Sequence, residues 1–341
     1  MTDTHAPVGT PAAAPWPAMV LTAGLGTRLR PLSAVRAKPA LPVAGVPLAG
    51  RILCWLAAGG VGDAVLNLHH LPETITAAIG DGEPFGVHVR YSWERVVLGS
   101  AGGPARALPL LDADRFFLVN GDTLTDVDLA AVAARHLSSG ARVTLALIAN
   151  PDPRHYGGVS VDESGRVTGF PRPGPDNRGW HFIGVQAVDA SVFAGLDPDT
   201  PAETVSGMYR RLIVDEPGSV QAFISQASFQ DIGTAADYLE TSLALAAAEH
   251  VPDTRHGART VVAAGAQVTH SVLWDDVWVG ADAVIDHCVV ADRVRVPAGA
   301  RFSRRVLVNA ADVTAGPDDQ IVHGVLATPL DARRRSPRGK D

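Results

Sequence analysis

Met19-Val20-Leu21-Thr22-Ala23-Gly24-Leu25-Gly26-Thr27-Arg28 is the stretch on which the reading of this chain turns. Met19-Val20-Leu21 is a short apolar run, the pattern of a buried strand, and it leads straight into glycines. A strand ending in a glycine-rich loop sets backbone N–H groups where a phosphate can be cradled. The loop is not the dinucleotide fingerprint, because Leu29 stands where that pattern asks for Gly or Ala. Nor is it a Walker A loop, since no Lys follows the last Gly. It carries Arg28, with Arg30, Arg36 and Lys38 close behind, so cations gather in a chain whose formal net charge is −7. Of 29 Lys plus Arg, only Lys38 and Lys340 are lysines, and Lys340 falls in a basic tail. A chain that otherwise uses Arg keeps one compact point charge in its body, and such a charge suits a phosphate oxygen that moves during reaction. Arg30 and Arg36 read as surface charge.

Working outward, Ala49 to Gly60 has a helical pattern and Ala64-Val65-Leu66-Asn67-Leu68 a strand pattern. Phe116-Phe117-Leu118-Val119 is another apolar run, stopped by Asn120-Gly121-Asp122. A helix over Leu129 to Leu137 and a strand over Val143 to Ile148 follow, and Ala235 to Glu249 closes the region as a helix. Strands alternating with helices predict an α/β fold: a Rossmann-like, mostly parallel mixed sheet with helices on both faces. Ligands on such sheets bind beyond the carboxyl ends of the strands. The glycine-rich loop and Asn120-Gly121-Asp122 both fall there.

After about residue 260 the pattern changes to a repeat of 17 residues. Val262, Val279 and Val296 form one column, and Ala266, Ala283 and Ala300 a second. Val268, Ile285 and Phe302 form a third, and Leu273, Val290 and Leu307 a fourth. Apolar positions spaced by six, five and six are too sparse for an amphipathic helix. They suit three short strands per coil of a β-helix, with nearly three coils before the pattern fades. The chain therefore divides into a disordered lead-in (1–17), a catalytic domain (18–249), a linker (250–257), a left-handed β-helix (258–310) and an extension with a basic tail (311–341). His270 and His287 are 17 apart and should stack, which raises a metal-site or acyltransferase reading; two residues on a solvated face is the simpler one. His69-His70 reads as a structural pair at a strand end.

The acidic balance argues against nucleic acid or a membrane surface as partner. No apolar stretch reaches membrane-spanning length, and the first residues lack the basic region of a signal peptide. Cys54 and Cys288 are far apart and outside any metal-type cluster, so a reduced, cytoplasmic setting is expected. Asp122 ends a strand-like run, and Asp231 precedes the closing helix in Phe229-Gln230-Asp231-Ile232-Gly233-Thr234. Each alone reads as a turn or cap residue. If they converge, they could hold one hard cation such as Mg²⁺.

Taken jointly, these motifs resemble the sugar-1-phosphate nucleotidylyltransferases. The resemblance rests on residues 21–32, Lys38-Pro39, Pro42-Val43-Ala44-Gly45, Leu98-Gly99-Ser100-Ala101-Gly102, Asn120-Gly121-Asp122, Tyr156-Gly157-Gly158-Val159 and Asp231-Ile232-Gly233-Thr234, and spans about 19 to 245. A β-helix after the catalytic domain is similar to the branch that includes mannose-1-phosphate guanylyltransferases. The resemblance implies that Leu21, Ala23, Gly24, Gly26, Thr27, Asn120 and Gly121 surround the nucleotide, with Gly99, Ser100 and Gly102 against its base. Arg28 and Lys38 would be the catalytic cations, Arg28 on the departing pyrophosphate and Lys38 between the α-phosphate and the sugar phosphate. Asp122 and Asp231 would hold Mg²⁺, and Gly157, Arg172 and Gly184 would meet the sugar phosphate.

The substrates implied are an NTP and a sugar 1-phosphate, with GTP and mannose 1-phosphate the favoured pair. UTP or dTTP with glucose 1-phosphate or an amino sugar is the alternative, and the enzyme is expected to be a homo-oligomer. The chain departs from the family pattern at Pro171-Arg172-Pro173, where many members have Glu-Lys-Pro, and at Phe182, where many have Asn two residues before the Gly. Pro171 cannot accept a sugar hydroxyl through its side chain, and Trp180 and His181 would shape the pocket instead. Those departures also motivate a catalytically silent regulatory subunit, against which the retention of Arg28, Lys38, Asp122 and Asp231 counts.

Overall fold

The computed structural model describes residues 16–174, 179–251 and 257–331. At its centre is a seven-stranded mixed sheet of β1 (Ala18–Leu21), β2 (Asp63–Leu68), β3 (His88–Trp93), β4 (Arg115–Asn120), β5 (Val143–Ala149), β6 (Trp180–Asp189) and β7 (Val220–Ile224). Their spatial order is β3-β2-β1-β4-β6-β5-β7. Every neighbouring pair is parallel except those made by β6, which runs antiparallel to both β4 and β5. Alternate residues of the strands feed two separate cores, as a sheet covered on both faces requires. Ala18, Val20, Leu66 and Phe117 join one, with Ile52 and Leu53 of helix α1 (Leu48–Ala58), Ile75 of α2 (Pro72–Ile79) and Val132 of α4 (Leu129–Ser139). Met19, Val65, Phe116 and Leu118 join the other, with Ala101 and Ala105 of α3 (Gly99–Leu111) and Tyr209 of α5 (Tyr209–Asp215).

Local signals explain where the helices begin and end. Asp128 caps α4 by accepting from the N–H groups of Ala130 and Ala131, and Gly140 ends it in the left-handed region. Thr234 and Asp237 form a reciprocal capping box at the start of α6 (Ala235–Ala248). Asp231 therefore has no capping duty. Trp16 and Pro17, assigned from sequence to the lead-in, are tied to the sheet: Phe117 N–H donates to the Pro17 carbonyl, and the Trp16 ring lies 5.5 Å from that of Phe117. The rest of that lead-in, most of the 250–257 linker and the tail from Arg333 fall outside the described residues.

The C-terminal repeat is a short left-handed β-helix in which the columns read from sequence pair in register. Val262 lies beside Val279 and Val279 beside Val296. Val268, Ile285 and Phe302 stack on a second face, and Leu273, Val290 and Leu307 on a third. Their side chains form one continuous core. Three corner columns hold a left-handed residue in each coil: Arg259, Asp276 and Arg293; Gly265, Asp282 and Gly299; His270, His287 and Arg304. A positive φ in most corners, taken even by non-glycine residues, is how 17 residues close a triangle. The segment after 310 is more than an extension. Gln320–Val322 and Val325–Pro329 form a hairpin that pairs antiparallel with Arg305–Asn309 and covers that strand edge. The hairpin thus pairs an edge that an open coil end would leave exposed.

The β-helix is seated on the catalytic domain. Trp274, 0% exposed, shares a core with Tyr238 and Leu239 of α6 and with Leu29, Leu32 and Leu41 after the glycine-rich loop. Removing a buried Trp of this kind costs about 3–5 kcal/mol, so this junction is a core and not a tether. Arg36, read from sequence as surface charge, is part of it. Its Nε and one terminal nitrogen grip Asp292 at 2.6 Å each, that terminal nitrogen also reaches Asp275 at 2.6 Å, and the guanidinium lies 5.4 Å from the Trp274 ring centroid. Sequence separation hid this, because the partners are some 240–256 residues away. Arg30, by contrast, is exposed.

Candidate active site

Beyond the carboxyl ends of β1, β2 and β4 lies a cavity of about 360 Å³. From β1 the chain enters the loop 22–26 and then a single 3-10 turn, Thr27–Leu29. Gly26 sits at φ 58°, and a Cβ there would come 3.1 Å from the Ser33 Cβ, so both backbone and space demand glycine. Ser33 Oγ donates to the Gly26 carbonyl at 2.7 Å and closes the loop. The loop is also fastened from β2. Asn67 Oδ1 accepts from the N–H groups of Thr22 and Ala23 at 2.6 and 3.3 Å, and the Thr22 hydroxyl donates to the Asn67 carbonyl. Asn67 Nδ2 donates to Glu94 Oε1 at 2.7 Å, and Glu94 Oε2 accepts from Leu98 N–H at 2.8 Å. Glu94 is 1% exposed. One buried carboxylate thus ties the glycine-rich loop to the start of α3, where Gly99 and Ser100 face the cavity.

Sequence reasoning passed over Asn67 and Glu94. A polar residue inside an otherwise apolar strand was the signal for Asn67, since a buried amide must be satisfied.

The two aspartates converge, which spacing alone could not show. Thr123–Thr125 and Phe229–Asp231 form an antiparallel ribbon in which Asp231 pairs with Thr123, and Ile232 N–H donates to the Asp122 carbonyl at 3.2 Å. Lys38, 8% exposed, places its Nζ 2.9 Å from Asp122 Oδ2. Burial pushes the Asp231 carboxyl above its ordinary value, Asp122 adds to this, and Lys38 and Arg28 oppose it. Arg28 crowds the same point: a Cβ on Gly233 would meet Arg28 Nη1 at 2.9 Å, Asp231 Oδ2 at 3.2 Å and Asp237 Oδ2 at 3.3 Å. Gly233 is the residue that lets cation and carboxylates approach. Two carboxylates drawn together, one resisting ionisation, fit a hard divalent cation.

Leu21, Ala23, Gly24, Gly26, Thr27, Arg28, Lys38, Gly99, Ser100, Asn120, Gly121 and Asp122 all line the cavity. Gly102 lies behind it, its N–H bonded to the Ala202 carbonyl and its α-carbon against Thr200. Gly184, at φ 81°, backs onto Asn120, whose Cβ would be 2.8 Å from a Gly184 Cβ. Gly157 and Arg172 stand apart from the cavity lining. Gly158 N–H donates to the Pro171 carbonyl, and Arg172 is exposed beside it. Between them and Asp231 is an aromatic cluster: Tyr156 to His181 at 4.6 Å, His181 to Phe229 at 4.7 Å and Tyr156 to Phe229 at 5.6 Å. Burial lowers the His181 imidazole below its ordinary value, and the nearby Gly157 carbonyl opposes this. Burial, then Asp231, raises the Tyr156 phenol. His69 and His70 are structural, Nδ1 of His69 lying 3.0 Å from the Glu94 carbonyl and Nε2 of His70 2.7 Å from that of Ser33.

A cavity at the strand ends lined by a glycine-rich loop, one buried ammonium and a pair of converging carboxylates are the features the family comparison bears on. Residues 17–248 match the model of the nucleotidyl transferase family, and residues 249–318 match that of the GlmU-like C-terminal hexapeptide. The chain belongs to the nucleotidyl transferase family. It is 32% identical over 231 residues to a mannose-1-phosphate guanylyltransferase of Mycobacterium tuberculosis, a match covering 66% of this chain and 63% of that protein, a little under two thirds of its length. It is 39% identical over 190 residues to an N-acetylmuramate alpha-1-phosphate uridylyltransferase of Neisseria meningitidis, covering 54% of this chain and 80% of that one. Its fold is similar to that of HddC from Yersinia pseudotuberculosis, with a TM-score of 0.57 at 23% identity over 67% of this chain and 99% of that one. Among the described residues, no helix is long and apolar enough to cross a membrane.

Proposed function

We propose that this protein transfers a nucleotidyl group from an NTP to a sugar 1-phosphate, giving an NDP-sugar and pyrophosphate. The observation that carries the reading is the meeting of Lys38, Asp122, Asp231 and Arg28 at one rim of the cavity. A sugar-phosphate oxygen attacks the α-phosphorus in line; the new P–O bond forms as the bond to the β-phosphate oxygen breaks. No protein nucleophile is required, so this chain contributes positioning and charge. Backbone N–H groups of 24–27 receive the phosphates. Lys38 swings its ammonium between Asp122 and the transferring phosphate, and Arg28 follows the departing pyrophosphate. Asp122 and Asp231 would hold Mg²⁺, which supplies further neutralisation of phosphate oxygens when bound. Gly99 and Ser100 lie against the base. Gly157, Arg172, Gly184 and the Tyr156–His181–Phe229 cluster take the sugar phosphate side.

GTP and mannose 1-phosphate are the favoured pair, supported by the mycobacterial relative. A UTP-dependent reading has its own support in the meningococcal relative, which is more alike over the shorter stretch it shares. The enzyme is taken to act in the cytoplasm, as a homo-oligomer. Pyrophosphate release measured with Mg²⁺ across GTP, UTP, dTTP, ATP and CTP, each crossed with mannose, glucose, galactose, N-acetylglucosamine, N-acetylmuramate and heptose 1-phosphates, tests the reaction and its substrate pair. One pair far above the rest identifies the substrates; nucleotide binding without turnover anywhere on that grid would favour a regulatory subunit instead.

A further inference from the structure

We propose that His270, Asp286 and His287 form a second metal site, for a borderline dication of the zinc class, on one corner of the β-helix. The imidazole rings of His270 and His287 stack with centroids 4.6 Å apart and planes 26° from parallel. Both turn Nδ1 toward one carboxylate: His270 to Asp286 Oδ1 at 3.2 Å and His287 to Asp286 Oδ2 at 2.8 Å. One ligand atom from each residue lies within 4.8 Å of the others. Zinc bound to imidazole nitrogen and carboxylate oxygen at about 2.0–2.2 Å needs ligand atoms roughly 3.3 Å apart, so small rotations suffice.

The scaffold is rigid on both sides of the site. Thr269 and Asp286 are paired strand residues, and His287 N–H donates to the Thr269 carbonyl at 3.1 Å. His270 and His287 are held at φ 46° and 51° in the corner column. Thr269 Oγ1 donates to Asp286 Oδ1 at 2.7 Å, fixing the carboxylate as an outer partner commonly does for a ligand. The column's third member, Arg304, sends its guanidinium to Asp331 at 2.6 Å. The histidine side chains are 60% and 43% exposed, so the ion has an entry path and room for water.

Two imidazoles and one carboxylate select Zn²⁺, Co²⁺ or Cu²⁺ over Mg²⁺, which prefers oxygen. The site is therefore separate in chemistry as well as position from the paired aspartates of the cavity. Its ligands come from two successive coils, so a bound ion would staple them.

The test is titration of chelator-stripped full-length protein with Zn²⁺ against a chromophoric competitor, alongside the visible spectrum of the Co²⁺ form. Expected are one equivalent bound with micromolar or tighter affinity, a nitrogen–oxygen spectrum without a thiolate band, and a higher melting temperature with Zn²⁺. His270→Gln and His287→Gln should each weaken binding tenfold or more and abolish the thermal shift, while Mg²⁺-dependent turnover stays unchanged and reports an intact fold. Zinc affinity unaltered in both variants, a thiolate band from Cys54 or Cys288, or no zinc bound by the parent protein would each overturn the proposal.

Discussion

At the scale of a residue, the roles proposed for Lys38 and Asp231 turn on charge shape and on proton affinity. Lys38 is buried with its Nζ against Asp122, and a guanidinium in that space is larger, planar and directional. Lys38→Arg should keep the melting temperature within a few degrees while lowering kcat by about 10²-fold, the scale of losing one electrostatic donor; near-normal kcat would remove Lys38 from the reaction. Asp231 carries a conflict between stability and binding. Burial and Asp122 raise its folded pKa above the unfolded value, so the folded state holds the proton more tightly. A raised pKa contributes stability that is complete below the unfolded value and fades as pH climbs through the folded one. At neutral pH the ionised Asp231 thus opposes folding of the metal-free protein. Asp231→Asn should melt higher than the parent without metal, yet require roughly tenfold or more additional Mg²⁺ for half-maximal rate. A variant that melts lower, or keeps its Mg²⁺ dependence, contradicts that account.

At the scale of the element, legibility tracked how local each signal was. β1, β4 and β5 are apolar runs, α4 has its Asp and Gly caps, and the 17-residue columns pair as read. The ribbon that joins Asp122 to Asp231 is two three-residue strands more than a hundred positions apart, and no local pattern announces such a pair. Helix α3 hid for the opposite reason. Gly99, Gly102, Gly103, Pro104 and Pro109 argue against a helix on propensity, yet packing overrides it. A Cβ at Gly103 would fall 2.9 Å from both Asn67 Nδ2 and Glu94 Oε1, so the glycine that weakens the helix lets it close over the buried pair. The site depends on that closeness. Both Glu94 oxygens accept hydrogen bonds, so Glu94→Gln forces an amide N–H₂ against a donor. Urea unfolding should show a loss of roughly 1–3 kcal/mol, and KM for the NTP should rise because the phosphate loop and the start of α3 lose their common anchor. Unchanged KM in a destabilised variant would leave Glu94 with packing alone.

At the scale of the whole molecule, the β-helix packs against the segment that carries Lys38. Arg36 stands two residues before Lys38 and is held by Asp292 and Asp275, carboxylates of successive coils, over the buried face of Trp274. Trp274 Nε1 donates to the Tyr238 hydroxyl at 2.8 Å, and that hydroxyl donates to the Pro42 carbonyl, just past the Lys38 turn. Two routes therefore run from the coil to the segment that presents the ammonium, one ionic and one through the core. Burial raises the cost of breaking only one partner of such a pair. Arg36→Met leaves two carboxylates facing each other, so it should destabilise by more than Asp292→Asn, and the double variant should recover part of the loss. A coupling energy of about 1–3 kcal/mol is expected from the cycle. Turnover supplies the sharper discriminator. If Arg36 positions Lys38, Arg36→Met should lower kcat severalfold with little change in KM, and Asp292→Asn should do the same more weakly, both measured well below the melting temperature. Additive stabilities and an unchanged kcat would reduce the β-helix to a neighbour of the catalytic domain, in place of a working part of it.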